Sequence, residues 1–388
     1  MGVIAADVFT LDGLSPRTVL APTTAEEVAA AIREADAAGE AIVLWGGGTR
    51  VSIGDPPERY DVALDLRGLR GVVAQEPADM TITVRAGTTL AELAAALAPH
   101  GQRWPVEVGH PERATVGGTV ASAADGPARL RYFHPRDWTI GVQAALGDGT
   151  LTRAGGRVVK NVTGYDLTRL YSGTYGTLCA LCELTLKVTA LPERTRSLRA
   201  DLPHPDFAYQ RIRELLLRRL PLDALALVIG PHAEALGSPT QLGLFVRVAG
   251  APAVVDRLVA ELEAELPLVP ASDDVWARIA ALQDDATFAI RASWAPGQRV
   301  NVYPGSAVLY PGVDSLHVFD EQNADQARAF RAAIAERGGA VTLERAPAEL
   351  KRAVGAWGPS RAPAAIVRAL KERFDPRGVL APGRMTLG

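Results

Sequence analysis

The sequence predicts an α+β protein, and three observations support that prediction. A strand–helix–strand unit lies near the amino terminus, and three turns rich in glycine and hydroxyl residues occur within the first 192 residues. From residue 193 to about residue 355, helices alternate with short strands, which is typical of an α+β layer. We therefore predict a ligand-binding domain over residues 1–192, a second α+β domain over residues 193–355, and a C-terminal segment over residues 356–388.

The strand–helix–strand unit follows from caps and apolar spacing. Its first strand covers Thr18–Pro22, and Thr24 followed by Glu27 has the pattern of a capping box. Apolar residues at helical spacing continue to Gly39, a residue type that commonly ends helices. The second strand, Ala41–Trp45, leads directly into three consecutive glycines. The carboxyl end of such a strand is a usual ligand position in α/β proteins.

The triple-glycine loop, Gly46–Gly48, predicts close contact between backbone and ligand. Glycine has no Cβ and adopts positive φ, so main-chain N–H groups there can approach a bulky anion and form a nest. The Rossmann fingerprint does not fit, because Val51 stands where its third glycine belongs and Asp55–Pro57 where its helix would run. Any nucleotide here must be held by another architecture.

The rest of the first half shows the same kinds of signal. Thr89 and Glu92 form a second capping box, and the helix that follows ends near Gly101. The second and third small-residue turns cover residues 114–122 and 172–177, and residues 147–149 predict a hairpin. The other predicted strands are Val62–Leu66, Thr81–Val84, Trp138–Leu146, Thr150–Thr152 and Glu183–Val188.

In the second half, apolar periodicity predicts four helices and six strands. The helices cover Phe207–Leu220, Ala253–Leu266, Asn323–Arg337 and Ala362–Phe374. The strands cover Ala224–Ile229, Gln241–Val248, Ala286–Ala292, Ala307–Tyr310, Ser315–Phe319 and Ala340–Leu343.

Composition excludes several classes of protein. The chain is 48% apolar and 22% charged with a net charge of −3, so it gives no reason to expect nucleic-acid binding. The amino terminus lacks the basic and apolar regions of a signal peptide, and no apolar stretch approaches the ~20 residues of a membrane span. We therefore expect a cytoplasmic protein with no direct membrane insertion.

The two cysteines, Cys179 and Cys182, form a CxxC pattern that could indicate redox or metal chemistry. No histidine lies nearby to complete a metal site, and the segment has a strand pattern rather than a helix start. Strand positions three apart point to opposite faces of a sheet. The sequence therefore favours two buried structural thiols and predicts no metal site.

Four segments together resemble a known family. They are Trp45–Thr49, Ala114–Gly118, Lys160–Leu167 and Gly173–Leu178. In this order and spacing they resemble the FAD-binding domain of the vanillyl-alcohol oxidase/p-cresol methylhydroxylase flavoproteins, and within that family the FAD-binding subunit of glycolate oxidase (the GlcE type). The tail segments Phe374–Gly378 and Pro382–Met385 are similar to the closing motif of that group.

The resemblance implies a PCMH-type FAD-binding domain of two α/β subdomains, an α+β cap on the substrate side, and a tail that returns to the FAD domain. It implies that Gly46–Arg50 and Thr115–Gly118 wrap the pyrophosphate, and that Lys160, Gly164 and Tyr165 lie nearer the flavin ring. The cofactor residues that it implies are Trp45, Gly46, Gly47, Gly48, Thr49, Arg50, Pro111, Thr115, Val116, Gly117, Gly118, Ser122, Gly126, Arg136, Asp137, Lys160, Gly164, Tyr165, Gly176, Leu181 and Glu183.

Departures from the family pattern modify these expectations. Members with covalent flavin often carry a histidine after the paired glycines of the first loop, where this chain has Gly48 and Thr49. We therefore expect non-covalent FAD. The closing motif carries Ala381 in place of asparagine, and Cys179 and Cys182 replace the usual glycine and threonine.

Catalytic residues are harder to find. Catalytic 2-hydroxy-acid dehydrogenases of this group carry a His-x-Gly-Asp-Gly-Asn-x-His-like cluster that this chain lacks, and the remaining candidates are His317, Lys160 and Tyr165. A histidine could accept the hydroxyl proton, although a lone strand histidine is more often structural. Three arginines could each bind a substrate carboxylate, or they could be solvated charges at strand edges. They are Arg247, Arg291 and Arg299.

Three functions remain open at this point. The first is the FAD-binding subunit of a glycolate or other 2-hydroxy-acid dehydrogenase, working beside a catalytic flavoprotein subunit and an iron–sulfur subunit. Two cysteines cannot supply the four thiolates of a cluster, so a partner would have to carry it, and membrane association would come through such partners. The second is a stand-alone FAD-linked D-lactate or 2-hydroxy-acid dehydrogenase. The third is a nucleotide-binding module without redox chemistry.

Overall fold

The computed structural model describes residues 6–157, 166–295, 305–359 and 364–385. Within these ranges the chain divides into two compact units. Unit 1 comprises the described residues among 1–124, 134–190 and 347–388, and unit 2 comprises those among 125–133 and 191–346. Helices and strands are mixed in both units, so the predicted α+β class is confirmed.

The first half of the chain contains ten strands and five helices among its described residues. In order they are β1 (Thr18–Leu20), α1 (Ala25–Ala38), β2 (Ile42–Trp45), β3 (Val62–Asp65), β4 (Val72–Glu76), β5 (Thr81–Arg85), α2 (Leu90–Leu97), β6 (Gln102–Arg103), α3 (Val116–Ala121), α4 (Arg129–Tyr132), β7 (Thr139–Leu146), β8 (Leu151–Gly155), α5 (Leu167–Tyr171), β9 (Cys179–Lys187) and β10 (Thr189–Ala190).

The second half continues with eight strands and seven helices among its described residues. They are β11 (Arg194–Asp201), α6 (Pro205–Leu217), β12 (Ala224–Ile229), α7 (Pro231–Ala235), β13 (Leu242–Gly250), α8 (Pro252–Glu263), β14 (Leu268–Pro270), α9 (Val275–Asp285), β15 (Ala289–Ser293), β16 (Ala307–Tyr310), β17 (Ser315–Val318), α10 (Ala324–Ala335), β18 (Ala340–Arg345), α11 (Ala348–Val354) and α12 (Ala364–Phe374).

Unit 1 contains two main sheets. A parallel sheet has the strand order β1-β3-β2, and an antiparallel sheet has the order β4-β5-β9-β7-β8. The helix α1 packs its buried face, which includes Val28 and Ile32, between the two sheets. Tail residue Leu380 pairs with Ile42 as a parallel bridge, so the closing segment lies beside β2. These contacts fix the position at which β2 ends and the glycine loop begins.

Local capping signals determine where the helices of unit 1 start. The hydroxyl of Thr89 accepts a hydrogen bond from the Glu92 N–H while the Glu92 carboxylate accepts from the Thr89 N–H, so the predicted capping box is confirmed. Thr24 caps α1 as predicted, but the Glu27 carboxylate accepts hydrogen bonds from the N–H and hydroxyl of Thr23. Gly39 ends α1 in the left-handed conformation, with φ 69°.

Unit 2 is built on an eight-stranded antiparallel sheet with the order β14-β11-β13-β12-β16-β17-β15-β18. One face carries an apolar cluster with α9, in which Trp276 and Phe245 are buried. The short segment 125–133 belongs to this unit, because Tyr132 donates a hydrogen bond to the buried carboxylate of Asp223 and Gln283 donates one to the carbonyl of Asp125.

The two thiols lie as the sequence predicts. Both cysteines are free and buried in β9. Cys179 packs in the core beneath the antiparallel sheet, whereas Cys182 packs in the core shared with α1. Burial raises the pKa of both thiols, that of Cys182 to about 12. They therefore remain protonated at neutral pH, and the structural interpretation of the CxxC pattern is confirmed.

Candidate functional site

A cleft in unit 1 lies at the carboxyl end of β2. It contains ≈ 890 Å³ of empty space, and its lining residues all belong to unit 1. Three chain segments form its walls: the glycine loop from Trp45 to Val51, the segment from Ala114 to Ala124, and the turn at Tyr175 and Gly176. The three glycine-and-hydroxyl turns, spread over about 130 residues of sequence, thus meet around one space, as the sequence predicts.

The glycine loop starts from a rigid anchor. Trp45 is buried at the end of β2, and its indole Nε1 donates a hydrogen bond of 2.6 Å to the hydroxyl of Tyr60. Its ring meets the ring of Phe9 edge to face, with centroids 5.1 Å apart. Burial raises the pKa of Tyr60, so its phenol stays neutral under ordinary conditions. The loop therefore leaves the sheet at a fixed point and in a fixed direction.

The glycines of this loop pack directly on the second wall of the cleft. A Cβ on Gly46 would lie 2.5 Å from Oγ1 of Thr115, and a Cβ on Gly47 would lie 1.8 Å from the carbonyl oxygen of Arg113. Gly48 has a φ of 74°, which side-chain-bearing residues rarely adopt. No helix follows the loop, so the rejection of a Rossmann fingerprint is confirmed.

The second and third walls are joined by backbone hydrogen bonds. Thr115 caps the short helix α3, with its hydroxyl accepting from the N–H of Gly118 at 3.1 Å. The N–H of Tyr175 donates to the carbonyl of Ala121 at 2.8 Å, and that of Gly173 donates to the carbonyl of Val120 at 3.1 Å. These hydrogen bonds attach the third turn to α3, so the second and third walls of the cleft are held together.

The charged side chains among the described lining residues of the cleft are all positive. Two charged residues line it, Arg50 and Arg384, and no aspartate or glutamate is among its described lining residues. Its other lining groups are mostly glycine, hydroxyl and apolar side chains. Such a cleft, with exposed loop backbone and two arginines, suits an extended ligand that carries negative charge near its middle or one end.

Arg384 and Tyr175 line the cleft but are not among the residues predicted to bind the cofactor. Arg384 comes from the closing segment, where its Nη2 donates to the carbonyl oxygen of Val51 at 2.6 Å. The signal available in the sequence was the closing motif Pro382–Met385 itself, whose resemblance predicted a returning tail but no residue contact. Tyr175 lies within the predicted third turn, beside the predicted Gly176.

The predicted cofactor residues fall into three groups. Those that line the cleft are Trp45, Gly46, Gly47, Gly48, Thr49, Arg50, Thr115, Gly117, Gly118, Ser122, Gly176 and Leu181. Those described elsewhere than in the cleft lining are Pro111, Val116, Gly126, Arg136, Asp137 and Glu183, of which Gly126 belongs to unit 2. Lys160, Gly164 and Tyr165 lie outside the described residues.

The catalytic candidate His317 lies in unit 2. It is 1% exposed in β17, with its Nε2 3.4 Å from the hydroxyl of Ser315 and its Nδ1 3.6 Å from a carboxylate oxygen of Glu344. The same Glu344 carboxylate forms an ion pair with Arg291, whose Nε lies 3.2 Å from its second oxygen. The buried histidine and carboxylate and the partly buried arginine thus come from three strands of the sheet, β17, β18 and β15 respectively.

Arg247 fits neither of its predicted roles, the binding of a substrate carboxylate or a solvated charge at a strand edge. Arg247 lies in β13, inside the eight-stranded sheet, and its Nε is 2.6 Å from the buried carboxylate of Asp223. Its guanidinium also lies over the ring of Trp276, 5.1 Å from the centroid. It is neither a solvated edge charge nor available to a substrate carboxylate. Arg299 lies outside the described residues.

Two features of the described ranges bear on other functions. No group of three His, Cys, Asp or Glu side chains there has the arrangement that a metal ion would require. Among the helices of those ranges, none combines the length and the apolar character needed to cross a membrane.

Comparison with known proteins identifies the class of protein to which the cleft belongs. Residues 16–155 match the family model described as FAD binding domain, so this part of the chain is an FAD-binding domain, and the predicted resemblance is confirmed. The chain is 39% identical over 185 residues to glycolate oxidase subunit GlcE of Escherichia coli strain K12, a match that covers 47% of this chain and 52% of that subunit.

Other relatives extend the comparison. The chain is 25% identical over 420 residues to glycolate oxidase subunit GlcD of Bacillus subtilis, covering 95% of this chain and 89% of that subunit. It is 32% identical over 196 residues to D-2-hydroxyglutarate dehydrogenase of Xanthomonas citri pv. viticola, covering 50% of this chain and 42% of that enzyme. The chain thus matches about half the length of the GlcE and D-2-hydroxyglutarate dehydrogenase relatives.

Solved structures confirm the PCMH-type fold. Substrate-bound p-cresol methylhydroxylase superposes with a TM-score of 0.69 at 15% identity, covering 94% of this chain and 88% of that one. An alkyldihydroxyacetonephosphate synthase gives a TM-score of 0.70 at 16% identity, covering 94% of this chain and 76% of that one.

The residues of the cleft fit FAD. A dinucleotide needs close approach of backbone to its diphosphate, and Gly46 and Gly47 stand where any Cβ would collide with the second wall. It also needs positive charge, which Arg50 and Arg384 provide in a lining without described carboxylates. Apolar lining residues such as Leu44 and Val108 can cover its rings.

Proposed function

We propose that this chain is the FAD-carrying subunit of a glycolate or other 2-hydroxy-acid dehydrogenase complex. The observation that carries the proposal is the cleft itself. Three glycine loops and two arginines converge there within an FAD-binding domain, in a chain whose relatives include a glycolate oxidase subunit at 39% identity. Relatives named for D-lactate and D-2-hydroxyglutarate support a 2-hydroxy acid as the substrate class.

The chemistry assigns definite tasks to the protein. Oxidation of a 2-hydroxy acid to a 2-oxo acid removes one hydride from the substrate carbon and one proton from its hydroxyl group. When bound, FAD supplies the hydride acceptor at flavin N5. The glycine loops hold the cofactor by backbone contact, and the buried Trp45–Tyr60 pair keeps the first loop in place. The hydroxyl proton needs a base, which in a complex can come from a catalytic flavoprotein subunit.

The proposed partners are that catalytic flavoprotein and an iron–sulfur subunit that takes the electrons onward. In support, the two cysteines of the chain are buried in separate cores and cannot ligate a cluster together. Within the described ranges no group of three His, Cys, Asp or Glu side chains is arranged to hold a metal ion. Electrons that leave the flavin therefore need an acceptor outside the described part of this chain.

A stand-alone 2-hydroxy-acid dehydrogenase is the second candidate. It is favoured by the match to glycolate oxidase subunit GlcD, which extends over 95% of this chain. The two candidates differ in one respect: only the second requires this chain to oxidise substrate without any partner.

Anaerobic mixing distinguishes the candidates. The FAD-loaded chain alone is mixed with excess glycolate or D-lactate, and the visible absorbance of the flavin is followed. The subunit proposal expects bleaching to be absent or far slower than turnover, and to become fast once the partner subunits are added. Bleaching of the isolated chain at a catalytic rate would overturn the proposal in favour of the stand-alone enzyme.

The stand-alone candidate makes its own prediction about His317. If His317 accepts the hydroxyl proton, His317→Gln should slow flavin reduction by the isolated chain about 100-fold while leaving FAD content unchanged. Ser315→Ala, which removes the neighbouring hydroxyl 3.4 Å from the ring, is the matched control and should cost far less. Equal rates in wild type and His317→Gln would remove His317 from the mechanism.

FAD is expected to be bound non-covalently. Thr49 occupies the loop position where covalent relatives often carry histidine, and a threonine hydroxyl does not form the flavin bond that an imidazole nitrogen forms. Precipitation of the holoprotein with acid should therefore leave the yellow colour in the supernatant. Colour that stays with the protein pellet would contradict this expectation, and a Thr49→His variant serves as the comparison.

A further inference from the structure

One charged side chain of the cleft wall is buried and incompletely paired. Arg384 is 3% exposed. Its Nη2 donates hydrogen bonds to the carbonyl oxygens of Val51 and Ile53, whereas its Nη1 is buried and has no partner among the described residues. A buried donor of a charged group costs free energy while it stays unpaired. The wall therefore contains a cation with unused hydrogen-bonding capacity.

The nearest carboxylates do not remove this charge by direct pairing. Asp12 pairs with the buried ammonium of Lys351 at 3.0 Å, and Asp55 accepts the N–H of Ala356 at 2.6 Å. Burial lowers the pKa of Arg384 to about 10, against the opposing effects of Asp12, Tyr60 and Asp55. Arg384 is thus still positively charged at neutral pH, and no aspartate or glutamate among the described residues separates it from the cleft.

We propose that Arg384 supplies the positive charge that balances the diphosphate of bound FAD, so that the closing segment of the chain completes the cofactor site. The inference rests on the FAD-binding domain and needs no assumption about substrate. The diphosphate is the expected partner of this charge because it is the anionic part of FAD. A guanidinium in a water-poor wall also acts strongly on a nearby anion.

The same arginine also holds the glycine loop in place. Its two bonds to Val51 and Ile53 lie directly after the loop, and Trp357 donates its indole N–H to the carbonyl of Arg384 at 2.7 Å. A test must therefore separate the charge of Arg384 from its role as a clamp. Lys351 offers the matched control, since its Nζ donates to the carbonyl of Ser52 in the same loop but does not line the cleft.

The experiment measures binding to the FAD-free full chain. Dissociation constants for FAD, ADP and riboflavin are determined by titration for wild type, Arg384→Met, Arg384→Lys and Lys351→Met, each checked for folding by circular dichroism. ADP carries the diphosphate without the flavin, and riboflavin carries the flavin without phosphate. The readout is affinity, so loss of substrate oxidation in the functional assay leaves this result unaffected.

Arg384→Met should weaken FAD and ADP binding by about 10- to 100-fold and leave riboflavin binding within about threefold. Arg384→Lys keeps the charge and should retain most of the affinity. Lys351→Met should change the three affinities by similar factors, because it removes the bond to the loop and the ion pair with Asp12 but leaves Arg384 in the cleft wall.

Three outcomes would overturn the inference. They are unchanged ADP affinity in Arg384→Met, equal losses for riboflavin and ADP in that variant, and Arg384→Lys behaving like Arg384→Met. If Arg384→Met does not fold, Arg384→Gln takes its place, because it removes the charge and keeps a polar side chain for the carbonyls of Val51 and Ile53, and the same three outcomes overturn the inference.

Discussion

Gly47→Val should yield a protein that retains less than about a tenth of stoichiometric FAD after purification. The Cβ of any side chain at this position would lie 1.8 Å from the carbonyl oxygen of Arg113 and 2.5 Å from its carbonyl carbon. Both atoms are backbone, so the two loops have to separate. Overpacking of this kind costs about 1–3 kcal/mol, and here the displaced segments are two walls of the FAD cleft.

The measurement is the ratio of flavin to protein absorbance, together with a thermal unfolding curve of the FAD-free protein. Gly156→Val is the control, because a Cβ at Gly156 meets nothing within 4 Å and the residue does not require positive φ. Gly156→Val should keep its FAD. Stoichiometric FAD in Gly47→Val would show that the ligand does not depend on the contact between these loops.

The sequence predicts a different cause for the same result. From the loop alone, a side chain at Gly47 is expected to intrude on the ligand, whereas the structure shows that it would first meet Arg113. The pattern of three glycines indicates a close approach of backbone but not what approaches. The residue that approaches the loop, Arg113, lies about 65 positions away in the sequence, and only folding brings it next to Gly47.

Features determined by neighbouring residues were predictable. The capping box of Thr89 and Glu92, the helix end at Gly39 and the strand β12 all rest on signals within a few residues. The opposite orientation of Cys179 and Cys182 follows from the two-residue period of a strand. In each case the local preference agrees with the tertiary environment.

Features that depend on long-range packing were not predictable. The sequence does not predict strand β4, because β4 is an edge strand with exposed Val72 and Val73, which lack an alternating apolar pattern. The environment of Arg247 is not predictable either, because the sequence does not reveal that Asp223 lies beside it in the buried sheet. Arg384 reaches the cleft only because the tail pairs with β2, a contact across more than 330 residues.

That pairing of the tail depends on one buried carboxylate. Asp375 accepts hydrogen bonds from the N–H groups of Val379 and Leu380, each at 2.9 Å, and pairs with the ammonium of Lys371 at 2.5 Å. Lys371 donates further hydrogen bonds to the carbonyl of Thr177 at 2.7 Å and that of Leu380 at 2.8 Å. The carboxylate thereby folds the tail onto β2 and connects it to the third turn of the cleft.

Asp375→Ala should destabilise unit 1 by about 3–5 kcal/mol, the usual cost of leaving one partner of a buried ion pair without the other. The Asp375 side chain is 0% exposed and that of Lys371 is 16% exposed, so water cannot replace the lost carboxylate. Native-state hydrogen exchange reports the effect most directly: the amides of Val379, Leu380 and Ala381 should exchange much faster than in wild type.

Arg377→Ala is the matched control. It removes an ion pair with Asp36 from the same tail, but the Arg377 side chain is 60% exposed, so the change should cost less than about 1 kcal/mol. Similar exchange rates in the two variants would show that the tail is held by apolar packing alone. A selective rise in Asp375→Ala, accompanied by weaker FAD binding, would establish that this carboxylate holds the closing segment against the cofactor cleft.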